Sequence, residues 1–100
     1  MAVDIRVGSP TFGKYHSIKL SSRNKKIFYI PEGFAHGYLV LSELSIVQYK
    51  CTNIYNPNDE YGIKWNDKTI DVDWGNNSPI ISKKDDNLPY LKYQKLLPKY

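Results

Sequence analysis

The apolar residues of this chain come in short or alternating runs, each cut off by Gly, Pro or Asn. That punctuation constrains the fold more than any other feature, because it suits brief antiparallel strands better than helices. Ala2 to Arg6 alternates apolar and polar and stops at Gly8-Ser9-Pro10, which predicts a first strand. Phe12 to Leu20 predicts a second, ended by the polar stretch Ser21 to Lys25. Ile27 to Ile30 is an apolar run stopped by Pro31-Glu32-Gly33, a turn sequence with Pro where φ near −65° is wanted. Phe34 to Leu41 and Ile46 to Thr52 predict two more strands, and the four residues between them suit a hairpin.

Beyond Asn53 the character changes. Asn53 to Asn77 is rich in Asn, Asp and Gly and reads as an irregular wrap with short strands. Ser82-Lys83-Lys84-Asp85 has the S-x-x-D form of a capping-box start, and Leu88, Leu91 and Leu96 suggest a short terminal helix. The pattern as a whole predicts one mainly β domain over residues 1–100, a sandwich or barrel with a small helical tail.

The hairpin has a chemical consequence. If Leu41 pairs with Ile46, then Tyr38 faces Tyr49, His36 faces Cys51 and Phe34 faces Asn53, and period-two alternation puts all six on one face. His36 and Tyr49 become diagonal neighbours roughly 7–8 Å apart at Cα, a spacing that could bracket a small ligand. A face of His, Tyr, Cys and Asn fits the inside of a barrel with a polar cavity. It fits equally a face turned to solvent or to a second subunit. A slip of one residue would send His36 and Tyr49 to opposite faces.

Composition narrows the partners. Nine Tyr suit half-wet strand faces, and a net charge of +4 mildly favours anionic ligands. The Lys and Arg residues are scattered, so a polynucleotide is not indicated and a phosphorylated small molecule accounts for the surplus equally well. Cys51 stands alone, which excludes an internal disulfide and fits a reducing compartment. With no apolar run of membrane-span length and no leader pattern, no membrane is implied and the expectation is a cytoplasmic protein.

Five blocks carry a specific resemblance: Ser9-Pro10-Thr11-Phe12-Gly13-Lys14; Ile30-Pro31-Glu32-Gly33-Phe34-Ala35-His36-Gly37; Tyr49-Lys50-Cys51-Thr52-Asn53-Ile54-Tyr55; Gly62-Ile63-Lys64-Trp65-Asn66-Asp67; and Ser82-Lys83-Lys84-Asp85. In this order and spacing the chain resembles the dTDP-4-dehydrorhamnose 3,5-epimerase family. The resemblance implies a cupin-like jelly roll, incomplete here, built of antiparallel sheets and usually dimeric. It implies a dTDP-sugar ligand and no metal or organic cofactor. His16 and His36 alone could not make a multi-His metal site.

The family reaction exploits a C4 ketone that acidifies the protons on both flanking carbons. A base takes one, an enolate forms, and an acid returns a proton to the opposite face. By resemblance the acid is Tyr49, Asp85 orients the His base, and His36 and Tyr55 lie beside the sugar nucleotide. Each also has a plain alternative: Asp85 as the helix-cap partner of Ser82, Tyr55 as a packing aromatic, His36 as a hydrogen-bonded interior residue. His16 matches no functional position in this resemblance, and Cys51 is not read as a nucleophile.

The base His belongs to an R-G-L-H-x-Q block upstream of Ser9-Pro10, and a Lys on the next strand holds the enolate oxygen. Met1 already lies past both, so the resemblance covers the C-terminal portion of the family. The expectation is weak or absent turnover by the isolated chain, with exposed sheet edges that favour a homodimer. Completion by a separately encoded N-terminal piece is one reading. A non-catalytic relic that binds a sugar nucleotide or another protein is the alternative.

Overall fold

The computed structural model describes residues 1–100. Its strands are β1 (Ala2–Asp4), β2 (Tyr15–His16) and β3 (Phe34–His36), joined in the order β2-β1-β3 with both pairings antiparallel. The register sets Ala2 opposite both His16 and His36, and Val3 opposite both Tyr15 and Ala35. Successive residues alternate faces, so Val3, Tyr15 and Ala35 form one row on the face that meets the core. Ile70 and Leu91 close over Val3, with Met1, Ile5, Ile63, Val72 and Leu97 packed around them.

Each strand is shorter than its sequence pattern. β1 ends at Asp4 because this carboxylate gathers the loop that follows. It accepts from the Arg6 amide at 3.0 Å, from Arg6 Nε and Nη2 at 2.9 and 2.8 Å, from Ser9 Oγ at 2.5 Å and from Thr11 Oγ1 at 2.6 Å. The expected start of the second strand at Phe12 is consumed by this turn. Phe12 N–H donates to Ser9 carbonyl and Lys14 N–H to Thr11 carbonyl, which leaves only Tyr15–His16 for the ladder.

A turn does form before β3, but Pro31 takes its opening position, and the corner that wants φ near −65° falls to Glu32. Phe34 N–H reaches Pro31 carbonyl at 3.4 Å, and Gly33 supplies the positive φ of 81° that the third position of a type II turn needs. Ile27 to Ile30 runs into it without pairing as a strand.

The Phe34–Leu41/Ile46–Thr52 hairpin does not form. β3 stops at His36 and pairs with β1 instead, so His36 lies beside Ala2 rather than Cys51, and Tyr38 does not face Tyr49. From Tyr38 to Tyr55 the backbone makes no hydrogen bond to other backbone, although Thr52 Oγ1 comes within 3.5 Å of Glu32 Oε1 as the chain returns. The reason is physical. An isolated two-stranded ribbon is marginal in water, and here the apolar pair that should anchor one, Leu41 and Ile46, stands 69% and 92% exposed.

The Asn53–Asn77 stretch is irregular as expected, but it contributes no strands. It is held by side chains. Trp74 donates its indole N–H to Trp65 carbonyl at 2.9 Å and lies over Gly37 just past β3. Lys64 N–H donates to Pro89 carbonyl at 2.8 Å, and Gln94 Nε2 to Gly62 carbonyl at 2.8 Å, tying the wrap to the tail. The tail holds α1 (Lys83–Asp86), capped by Ser82 Oγ accepting from Asp85 N–H at 3.1 Å, and a single 3-10 turn at Leu91–Tyr93. No helix is long and apolar enough to cross a membrane.

Candidate functional site

Tyr55 meets two residues that sequence reasoning did not single out, Glu60 and Lys84, with Tyr49 near Tyr55 and Asp85 next to Lys84 in α1. Lys84 leads Asp85 in α1 and forms an ion pair with Glu60 Oε2. Glu60 reaches it from the turn that follows Asn56-Pro57, where the Asn56 side chain accepts from Asn58 N–H at 3.0 Å. Tyr55 precedes that turn, and Tyr49 lies near enough to act on its titration.

The electrostatics of this cluster are mutually consistent. The Glu60 carboxylate accepts from the Tyr55 hydroxyl and pushes it up, with partial burial and the Glu60 charge adding to the effect against an opposing pull from Lys84. Glu60 itself is held below its ordinary range by the hydrogen bond from Lys84 and then by that from Tyr55. Lys84 is raised by the bond to Glu60 and by its charge. Tyr55 therefore keeps its proton at neutral pH beside a fixed carboxylate–ammonium pair, and the ion pair gives the open end of the site a defined polar wall.

The cluster is open to solvent. Tyr49 is 75% and Tyr55 68% exposed, so both hydroxyls are available to a ligand. The capping contact of Ser82 uses the Asp85 amide, and the Asp85 carboxylate remains exposed. Asp85 is thus present at the helix start without its carboxylate being spent there.

His36 is placed differently. It ends β3, exposed, opposite Ala2, and no hydrogen bond joins it to the Tyr49 cluster. His16 sits across Ala2 from it on β2. The arrangement supplies an exposed phenol (Tyr49), a second phenol held protonated, a carboxylate and an exposed imidazole. These are groups suited to proton delivery and to binding a polar ligand. Glu60 was not legible because its role depends on a contact across 24 residues to Lys84. Lys84 stands inside Ser82-Lys83-Lys84-Asp85, the one sequence signal for it.

The profile of the dTDP-4-dehydrorhamnose 3,5-epimerase family matches residues 1–93. Among curated relatives bearing that name, one from Escherichia coli (strain K12) is 51% identical over 89 residues, covering 88% of this chain and 48% of the relative. Another, from Shigella flexneri, is 49% identical over 87 residues, covering 87% and 48%. The solved dTDP-6-deoxy-D-glucose-3,5-epimerase from Legionella pneumophila, in complex with dTDP-4-keto-L-rhamnose, superposes with a TM-score of 0.88 at 42% identity, over 99% of this chain and 54% of that one. The chain spans about half the length of the curated relatives it matches. Its fold is accordingly that of part of a cupin-like jelly roll, mainly non-helical with a small antiparallel sheet.

Proposed function

Because the chain belongs to the dTDP-4-dehydrorhamnose 3,5-epimerase family, we propose that it carries the acid side of a sugar-nucleotide epimerase site. The convergence of Tyr49, Tyr55 and the residues next to Asp85 on one open cluster supports this reading most directly. In it, a dTDP-linked 4-keto sugar lies over the cluster. Tyr49 returns a proton to the enolate carbon on the face opposite the base, and Asp85 orients the base imidazole. Tyr55 and His36 bind the sugar nucleotide, with Tyr55 held protonated by Glu60 as a hydrogen-bond donor.

The two histidines of this chain, His16 and His36, stand in no R-G-L-H-x-Q block. A general base typically supplies ~10²–10⁴-fold of rate, so we infer weak turnover by these residues alone. The test is to incubate the protein with dTDP-4-keto-6-deoxyglucose in D₂O and follow deuterium at C3 and C5. Adding a second polypeptide that bears the R-G-L-H-x-Q block should raise incorporation. Incorporation that is unchanged by Tyr49→Phe in both settings would remove Tyr49 from the acid role.

The apolar side chains left uncovered between Ile27 and Ile54 further support self-association, a homodimer in the simplest case. Analytical ultracentrifugation should find a species heavier than 11.6 kDa, and a well-folded monomer would overturn this.

A further inference from the structure

Ser45 to Cys51, the stretch that carries Tyr49, is unpaired along both edges. None of its backbone groups takes part in a hydrogen bond. Those just outside it do: the Leu44 carbonyl accepts from Ser42 Oγ at 2.7 Å, and Ile54 N–H donates to the Asn53 side chain at 2.9 Å. The stretch runs without bend or turn, and every residue in it is exposed. Its sequence is nevertheless that of a strand. It holds Ile46, Val47 and Tyr49, no Gly or Pro, and Lys50 as its one charge.

Such a segment is a template for another strand. Its free N–H and C=O groups form a ready ladder, and pairing would bury its apolar side chains in the same step. Ile27 to Ile30 and Tyr38 to Leu41 are likewise without backbone bonds, with Ile27, Tyr29, Tyr38 and Leu41 exposed. Three unpaired lengths offer more ladder than a two-fold contact between copies at any one of them would use. The course of the chain points to what they suit. Nearly all of it superposes on a solved epimerase of which it matches about half. The unpaired lengths therefore follow paths that belong to a larger jelly roll, whose remaining strands supply the missing ladder partners.

We propose that Ser45 to Cys51 is a docking strand for the complementary half of the jelly roll, a polypeptide that adds a strand of its own edge to edge. The assignment rests on the reading above and deepens it by naming where the second polypeptide seats. Tyr49 lies on the docking strand. Ladder bonds on either side of it fix its backbone and decide which face its phenol takes. Docking and placement of the proton donor are then one event.

The experiment is amide hydrogen exchange on the intact chain, alone and with a probe polypeptide. The probe is the N-terminal part of the Escherichia coli relative, which lies outside the match. The amides of residues 45–51 should exchange as open chain in the protein alone and about tenfold more slowly, or slower still, with the probe. Val47→Pro and Gln48→Pro remove donors that point to opposite edges, and the chain itself uses neither donor. Both variants should keep the parent melting temperature, and at least one should weaken probe binding about tenfold. The docking strand is overturned if the probe does not bind, or binds with these amides still open, or binds both variants as it does the parent. Each of those results leaves the epimerase reading to its own test. Protection that appears without the probe and rises with protein concentration gives the strand to a second copy and also overturns the proposal. Protection by the probe without deuterium incorporation into the keto sugar supports the docking strand and sinks the epimerase reading.

Discussion

The amide of Leu91 donates to Asp67 Oδ2 at 2.7 Å across 24 residues, while the amides of Thr69 and Ile70 share the other oxygen at 2.8 and 3.0 Å. One buried carboxylate thus shapes the turn before Ile70 and fastens the tail to it, which delivers both Ile70 and Leu91 to Val3. Asp67→Ala would strand buried donors and open the core from two sides. The expected loss is about 3 kcal/mol, read as a lower urea midpoint, with Asp67→Asn falling between the two. A variant as stable as the parent would show that the core closes without this fastening.

Asp4 makes stability depend on acidity. Hydrogen bonding from Arg6, and then from Ser9 and Thr11, holds its carboxyl far below the usual carboxylate range, against the opposing effect of burial. Its folded pKa is depressed, so its contribution is full above the unfolded value of about 4 and is lost as pH falls toward the folded one. Urea midpoints measured from pH 7 down to pH 3 should fall at the acid end. Asp4→Asn should be less stable at pH 7, by about 3–5 kcal/mol, and should show a flatter acid limb. Equal acid limbs in the two proteins would remove Asp4 from this role.

Gly33 has no room for a side chain. A Cβ there would lie 2.7 Å from Arg6 Cγ, at a φ of 81° that L residues rarely adopt. Arg6 is held between the Phe34 and Tyr100 rings, its guanidinium carbon 4.7 and 4.8 Å from their centroids. Gly33→Ala should therefore strain the turn and push Arg6 from its stack, costing about 1–2 kcal/mol in thermal or denaturant unfolding. No change in midpoint would mean that Arg6 yields freely.

Tyr49 separates function from stability. Its side chain is largely exposed, so Tyr49→Phe should alter stability by no more than about 0.5 kcal/mol. Deuterium incorporation from D₂O into the keto sugar should nevertheless collapse. Loss of incorporation together with loss of folded structure would count against the acid role.

What the sequence revealed was local. Gly33 makes the turn before β3 and Ser82 caps α1, because each device acts within a few residues. The β class was legible from punctuation and the family from five ordered blocks. The strand pairing was not. His36 chose Ala2, 34 residues away, over Cys51 in the next run, because β1 brought a core row of Val3, Ile70 and Leu91 with it whereas the hairpin had no apolar surface to cover. For the same reason the site was only half readable. Tyr49, Tyr55 and Asp85 stood out as residues, but Glu60 enters only through its non-local ion pair.

The loop that follows β1 is bridged by residues 98–100. Val7 N–H donates to Pro98 carbonyl at 2.8 Å and Tyr100 N–H to Val7 carbonyl at 3.1 Å, beside the Tyr100 ring that stacks on Arg6. Contacts of this sequence separation are slow to form, since a long loop must close before they can stabilise anything. On the ribosome, β1 emerges before residues 98–100 and has no completed neighbourhood until they have cleared the exit tunnel. The unit reaches its native state only after synthesis has passed them, and any chaperone that shields the early strands must hold on for that whole interval.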